Sequence, residues 1–211
     1  MLRALTEATT ATVLEEARLV VRRGGVIAIP TESSYALGAD PLNERAVTRV
    51  CDLKGRAAGQ PILVLLASRE DVARFAREVP EVAITLMERF WPGPLTIVVP
   101  AATIVPRVLT AGTGTIGLRV PAHRWLAKIL PVTGALTGTS ANRSGTLPAC
   151  TAQGVEATFG TACDLVLDEG QTSEGMPSTV VDVTNGIHVI REGAISRRQL
   201  AEVVGERALV G

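Results

Sequence analysis

Val26-Ile27-Ala28-Ile29-Pro30-Thr31-Glu32-Ser33-Ser34-Tyr35-Ala36-Leu37-Gly38 is the stretch on which the reading of the fold turns. Val26 to Ile29 is a short apolar run leading straight into Pro30, which reads as a buried strand. Before it, Val13, Leu14, Ala17, Val20 and Val21 make an apolar helical stripe that ends near Gly24-Gly25. The hydroxyl-rich loop after Pro30 therefore opens at a strand's carboxyl end, and α/β sheets place their ligands outside strand ends.

Alternation of helix and strand continues outward from this unit. Asn43 can cap a helix running to about Leu53, Pro61 to Ala67 reads as a central strand, and Ser68 with Asp71 resembles a capping box. Strands follow near Leu95 to Val99, Thr115 to Val120, Ala135 to Thr139, Leu165 to Leu167, Thr179 to Val183 and His188 to Arg191. Helices are expected near Ala122 to Leu130, Ala152 to Phe159 and Arg197 to Val204, the last with a Ser196/Gln199 capping box. No repeat, low-complexity tract or linker interrupts the pattern, so the chain reads as one α/β domain around a mixed sheet. The domain is taken as residues 1–211, with its core at about 10–205.

Composition narrows the class. The chain has 211 residues, 46% of them hydrophobic, enough for a substantial core. Twenty-one basic residues balance twenty-one acidic ones, so no overall field draws it to nucleic acid or membrane, and any anion site is local. The longest apolar stretch, Ile62 to Ala67, is too short to span a bilayer, and a soluble, cytoplasmic protein is expected. Cys51, Cys150 and Cys163 are odd in number and widely spaced, which argues against structural zinc and a disulfide framework.

Several motifs can be set aside. Gly112-Thr113-Gly114-Thr115-Ile116-Gly117 fits G-x-G-x-x-G but precedes a strand instead of following one. Neither lysine follows a glycine, so there is no Walker A, and G-x-S-x-G is absent. The two histidines offer few candidates for a Ser-His-Asp triad. His188 reads as a packed or edge residue and His123 as a surface residue.

What remains is a set of loops rich in cations, hydroxyls and amides. Lys54-Gly55-Arg56 holds one of only two lysines among 21 basic residues. Lys can follow a phosphate as a point charge while Arg grips carboxylate or phosphate as a fork, so the pair suggests a polyphosphate site. A solvated helix end complementing the helix dipole is the alternative. Thr139-Ser140-Ala141-Asn142-Arg143-Ser144-Gly145 follows a strand and offers small donors, or is an ordinary turn. Arg119 stands in an otherwise apolar strand and needs a partner, either an internal carboxylate or a bound anion. Ser178-Thr179 opens one strand and Arg191-Glu192-Gly193 closes another.

Taken in order, these segments resemble the YrdC-like family of threonylcarbamoyl-AMP synthases, whose product serves the tRNA modification N6-threonylcarbamoyladenosine. The matching segments lie at 30–38, 54–56, 91–96, 117–121, 139–145, 178–182 and 191–193, within a likeness running from about Gly24 to Ala194. The resemblance implies a twisted open mixed sheet with flanking helices and a concave basic face. It implies the reaction of L-threonine, bicarbonate and ATP, with Mg²⁺ carried on the phosphates, to threonylcarbamoyl-AMP and pyrophosphate. Lys54, Arg56, Ser140 and Asn142 would be catalytic and bind ATP, together with Thr115, Ser178 and Arg191. Thr31, Gln60, Arg119, Thr139 and Ser178 would bind threonine. It also implies separate partner proteins that transfer the threonylcarbamoyl group to tRNA, as for the short bacterial form.

The chain departs from the family pattern at several points. Ser34 stands for an apolar residue, Ala36 for Gly, and Pro148 and Cys150 for hydroxyl residues. In Lys54-Gly55-Arg56-Ala57-Ala58-Gly59-Gln60-Pro61 an Ala replaces a frequent Pro and Gln60 a frequent basic residue. Two other readings stay open: a module binding double-stranded RNA or tRNA without catalysis, and a related carbamoyl-adenylate-forming protein. Neutral charge and six aromatic residues weigh against the first.

Overall fold

A computed structural model describes residues 1–56, 59–173 and 175–210. Ala57 and Ala58, part of the segment in which the chain departs from the family pattern, lie outside the described residues. Helices are α1 (Thr10–Arg22), α2 (Glu44–Lys54), α3 (Val72–Phe75), α4 (Glu81–Phe90), α5 (Arg107–Thr110), α6 (Leu126–Thr133), α7 (Ala152–Phe159) and α8 (Arg197–Val204). Strands are β1 (Leu2–Ala4), β2 (Ile27–Pro30), β3 (Tyr35–Gly38), β4 (Val64–Leu65), β5 (Leu95–Pro100), β6 (Thr115–Arg119), β7 (Leu136–Thr137), β8 (Thr139–Ser140), β9 (Leu165–Asp168), β10 (Thr179–Asp182), β11 (Ile187–Arg191) and β12 (Leu209–Val210). No helix among the described residues is long and apolar enough to cross a membrane.

The strands form two mixed sheets, not one. The first runs β1-β9-β2-β3-β8 and the second β12-β11-β10-β5-β6-β4-β7. The stretch expected as a single strand, Ala135 to Thr139, is divided at Gly138: β7 pairs with β4 in one sheet and β8 with β3 in the other. The motif after Pro30 is a hairpin, because Tyr35 to Gly38 returns antiparallel on β2 with Pro30 opposite Tyr35. The Tyr35 ring is fully buried, and its hydroxyl donates to the Gly170 carbonyl at 2.8 Å.

Local chemistry explains most boundaries. Asn43 caps α2 by accepting from the Ala46 N–H, and the Ser196/Gln199 capping box opens α8. Ser68 and Asp71 share one bond, from the Ser68 N–H to the Asp71 carboxylate, and α3 extends a single turn. The helix expected from Ala122 starts only at Leu126, and the Ala122 N–H ahead of it donates to the Glu32 carboxylate at 2.8 Å. The expected strand Pro61 to Ala67 shrinks to β4, and α4 is an addition, its Ala83, Leu86 and Met87 facing the core.

Candidate active site

A hollow of about 880 Å³ is lined from both sheets. From the seven-stranded sheet and its approaches come Leu63 and Leu65, Thr96 and Val98, Thr115, Gly117 and Arg119, and Ser178 and Val180. The residues between them, Val64, Leu95, Ile97, Val99, Ile116, Leu118 and Val181, point the other way into the apolar core. Period-two alternation thus gives one face to the core and one to the hollow. The opposing wall is Thr31, Ser33, Ser34 and Ala36 of the β2–β3 hairpin with Thr139 and Ser140 of β8. Arg56, Arg119 and Arg191 all reach the lining, and among the described residues no carboxylate does. Burial pushes all three guanidinium groups below their ordinary pKa, and for Arg119 the Glu32 carboxylate opposes that shift. A net-neutral chain has thus brought three arginines to one place, where a bound anion would offset their desolvation.

Helix α2 delivers the first cation. Gly55 at its end takes a left-handed conformation, φ 57°, and closes the helix through its N–H to the Asp52 carbonyl. That reversal sends Arg56 to the hollow, where it donates to the Gln60 carbonyl at 2.9 Å, the Pro61 carbonyl at 2.7 Å and the Thr139 hydroxyl at 3.1 Å. Lys54 turns the other way. The residue is only 4% exposed, and its ammonium donates to the Ser140 carbonyl and to the Asn142 carbonyl and Oδ1, the last two at 3.1 and 3.0 Å. The Ser140 hydroxyl donates to the same Oδ1 at 2.6 Å, and the Ser144 N–H to the Lys54 carbonyl at 2.7 Å. Lys54 and Asn142 thus stand behind Ser140, holding the 140–146 loop, while Ser140 itself meets the hollow.

Burial, and to a lesser degree Arg56, pushes the Lys54 ammonium down to about 8. Below that pH it carries its charge and all three donors; above it both the charge and one donor are lost. Affinity of the hollow for a polyphosphate anion, measured by titration calorimetry with pyrophosphate, is therefore expected to weaken as pH rises through about 8 in the native chain and to stay level in Lys54→Arg. The same shift has the opposite sign for folding. The unfolded chain keeps this proton to higher pH, so the contribution of Lys54 to stability rises between about 8 and the model-compound value of 10.5.

Arg119 is held on two sides, by the Gly93 carbonyl accepting from Nε at 2.8 Å and by the Glu32 carboxylate accepting from Nη2 at 2.6 Å. Its partner within the chain is thus an internal carboxylate. Arg191 donates to the Ser178 carbonyl at 2.9 Å, and the Ser178 and Thr96 hydroxyls share a bond of 2.9 Å. Gly193 permits this approach, because a Cβ there would lie 2.2 Å from the Pro177 carbonyl oxygen. The Thr31 hydroxyl donates to the Ser34 carbonyl and Thr115 lines the far side. Gln60 is elsewhere, lining a second hollow of about 440 Å³ that shares Arg56 with the first. His123 is not a surface residue: its Nε2 meets the Glu169 carboxylate at 2.8 Å, and the two side chains are 11% and 10% exposed.

The family model described as telomere recombination, Sua5/YciO/YrdC, matches residues 19–193. This chain belongs to the Sua5/YciO/YrdC family. Among its Sua5/YciO/YrdC relatives, a threonylcarbamoyl-AMP synthase of Pyrococcus abyssi is 39% identical over 88% of this chain and 55% of its own length. One from Thiobacillus denitrificans is 43% identical over 79% of this chain and 88% of its own. The structure of P. abyssi Sua5 complexed with L-threonine superposes with a TM-score of 0.93 at 35% identity, covering all of this chain and 62% of that one. The present chain thus spans a little over half the length of the Pyrococcus relative. In the Sua5/YciO/YrdC hollow, the members not anticipated from sequence are Thr96, the apolar Leu63, Leu65, Val98 and Val180, and the rim residues Leu147 and Pro177. Alternation along each strand was the available signal for the first group; for the rim residues, in loops, no periodic signal exists.

Proposed function

We propose that this chain is a threonylcarbamoyl-AMP synthase, condensing L-threonine, bicarbonate and ATP, as the magnesium complex, to threonylcarbamoyl-adenylate and pyrophosphate. One observation carries the reading: three guanidinium groups, that of Arg119 buried, and a ring of hydroxyls converge on a single hollow with no carboxylate among its described lining residues, in a fold matched by a threonine-bound relative. The threonine amine and bicarbonate give an N-carboxylate with loss of water. One carboxylate oxygen of that species then bonds to the α-phosphorus of ATP as the bond from that phosphorus to the bridging oxygen breaks and pyrophosphate leaves. The nucleophile belongs to the substrate, so the chain has to supply position and fixed charge and needs no serine, cysteine or histidine nucleophile.

Arg56 and Ser140, with Lys54 and Asn142 behind them, suit the phosphates; Thr115, Ser178 and Arg191 suit the adenylate; Arg119, Thr31 and Thr139 suit the amino acid. Arg119 would meet the threonine carboxylate in a charge-assisted contact. Gln60, facing the second hollow, is left out of the threonine subsite. Among the described residues no group of three or more His, Cys, Asp or Glu gathers; Mg²⁺ would be carried by the triphosphate and would supply charge neutralisation there. The reaction class is nucleotidyl transfer, in the cytoplasm, with separate proteins passing the threonylcarbamoyl group to tRNA. Pyrophosphate release is expected to need ATP, Mg²⁺, bicarbonate and L-threonine together. Release that continues unchanged without threonine and bicarbonate overturns the reading.

A further inference from the structure

We propose that Glu32 is a positioning residue: its carboxylate fixes the direction of the Arg119 guanidinium so that the remaining N–H groups face a substrate carboxylate. This rests on the function proposed above and adds a residue to it. Glu32 itself does not line the hollow, although Thr31 and Ser33 on either side of it do. Its Oε1 accepts two bonds, from Arg119 Nη2 at 2.6 Å and from the Ala122 N–H at 2.8 Å. Its Oε2 is buried without a hydrogen-bond partner among the described residues, where Arg119 is the one cation paired with this carboxylate. The Glu32 carbonyl also accepts from the Ser173 hydroxyl, which anchors the hairpin tip from outside.

Arg119 has a planar head with three nitrogens. Gly93 takes Nε and Glu32 takes Nη2, no bond is made by Nη1 among the described residues, and Arg119 lines the hollow. An arginine held on two sides is pre-organised for a fork contact on the third, and less freedom is lost when a carboxylate docks. Glu32 also exerts an opposing effect, since its negative charge repels the anion that Arg119 attracts. The two effects separate by chemistry: Gln at this position keeps a carbonyl acceptor and drops the charge, whereas Ala drops both.

The test is steady-state kinetics of the full chain with Glu32→Ala and Glu32→Gln, with thermal unfolding of each. Glu32→Ala is expected to raise the KM for L-threonine about tenfold, as expected when a buried donor loses its partner, with the KM for ATP changed less than about twofold. Glu32→Gln is expected to recover most of that loss. If Ala does not fold, Glu32→Met, which keeps the volume without the acceptor, replaces it in the comparison. Equal threonine KM in Gln and Ala (or Met) overturns the proposal, as does a rise shared equally by both substrates. A native chain without threonine-dependent turnover overturns the function and this inference together; a native chain with turnover and an indifferent Glu32 overturns the inference alone.

Discussion

Arg56→Ala loses turnover by about a hundred- to a thousandfold, the usual cost of one pre-organised donor at developing charge. The expectation comes from how the side chain is held. Three bonds, to two carbonyls and one hydroxyl, fix the half-buried guanidinium on the wall of the hollow. Charge that grows on a departing pyrophosphate meets a cation already in place. Truncation removes no core packing, because Arg56 is a partly exposed rim residue, so the melting temperature should move little. Pyrophosphate release and thermal unfolding of the purified variant check both halves; a folded Arg56→Ala chain with normal turnover contradicts the assignment.

Lys54→Ala should lose activity by a similar factor and stability as well, which separates it from Arg56→Ala. The ammonium is the common donor to the Ser140 carbonyl, the Asn142 carbonyl and Asn142 Oδ1. Its removal leaves buried acceptors unmatched, at about 1–3 kcal/mol for such a loss. Denaturant titration reads the stability, and Lys54→Arg tests whether charge alone suffices. An Ala variant as stable as the native chain would show that the 140–146 loop is held by other means.

Much of this was legible in the sequence, for reasons that can be named. The stripe ahead of Gly24, the capping residues Asn43 and Ser196, and the apolar alternation of β5, β6 and β10 are local signals, and the structure keeps them. The arginines could be found because each cation sits beside glycine or within an apolar strand. What sequence left open was long-range. Arg119 needed either an internal carboxylate or a bound anion, and its partner Glu32 lies 87 residues away. Lys54 and Arg56 are neighbours in sequence, yet the left-handed Gly55 between them sends the two side chains to different places, Arg56 to the lining and Lys54 to the 140–146 loop. The division of the 135–139 run between two sheets also depends on partners, β4 and β3, that lie far off in sequence.

That division has a mechanical consequence. Because β7 and β8 are separated by Gly138 alone, the backbone stitches the two sheets together next to Thr139. The gap between the walls is set there by covalent geometry, like the spine of a book. Arg56 and Thr139, bonded to each other, stand beside that spine, whereas Leu147 and Pro177 line the hollow from loops that no such stitch ties to the opposite cover.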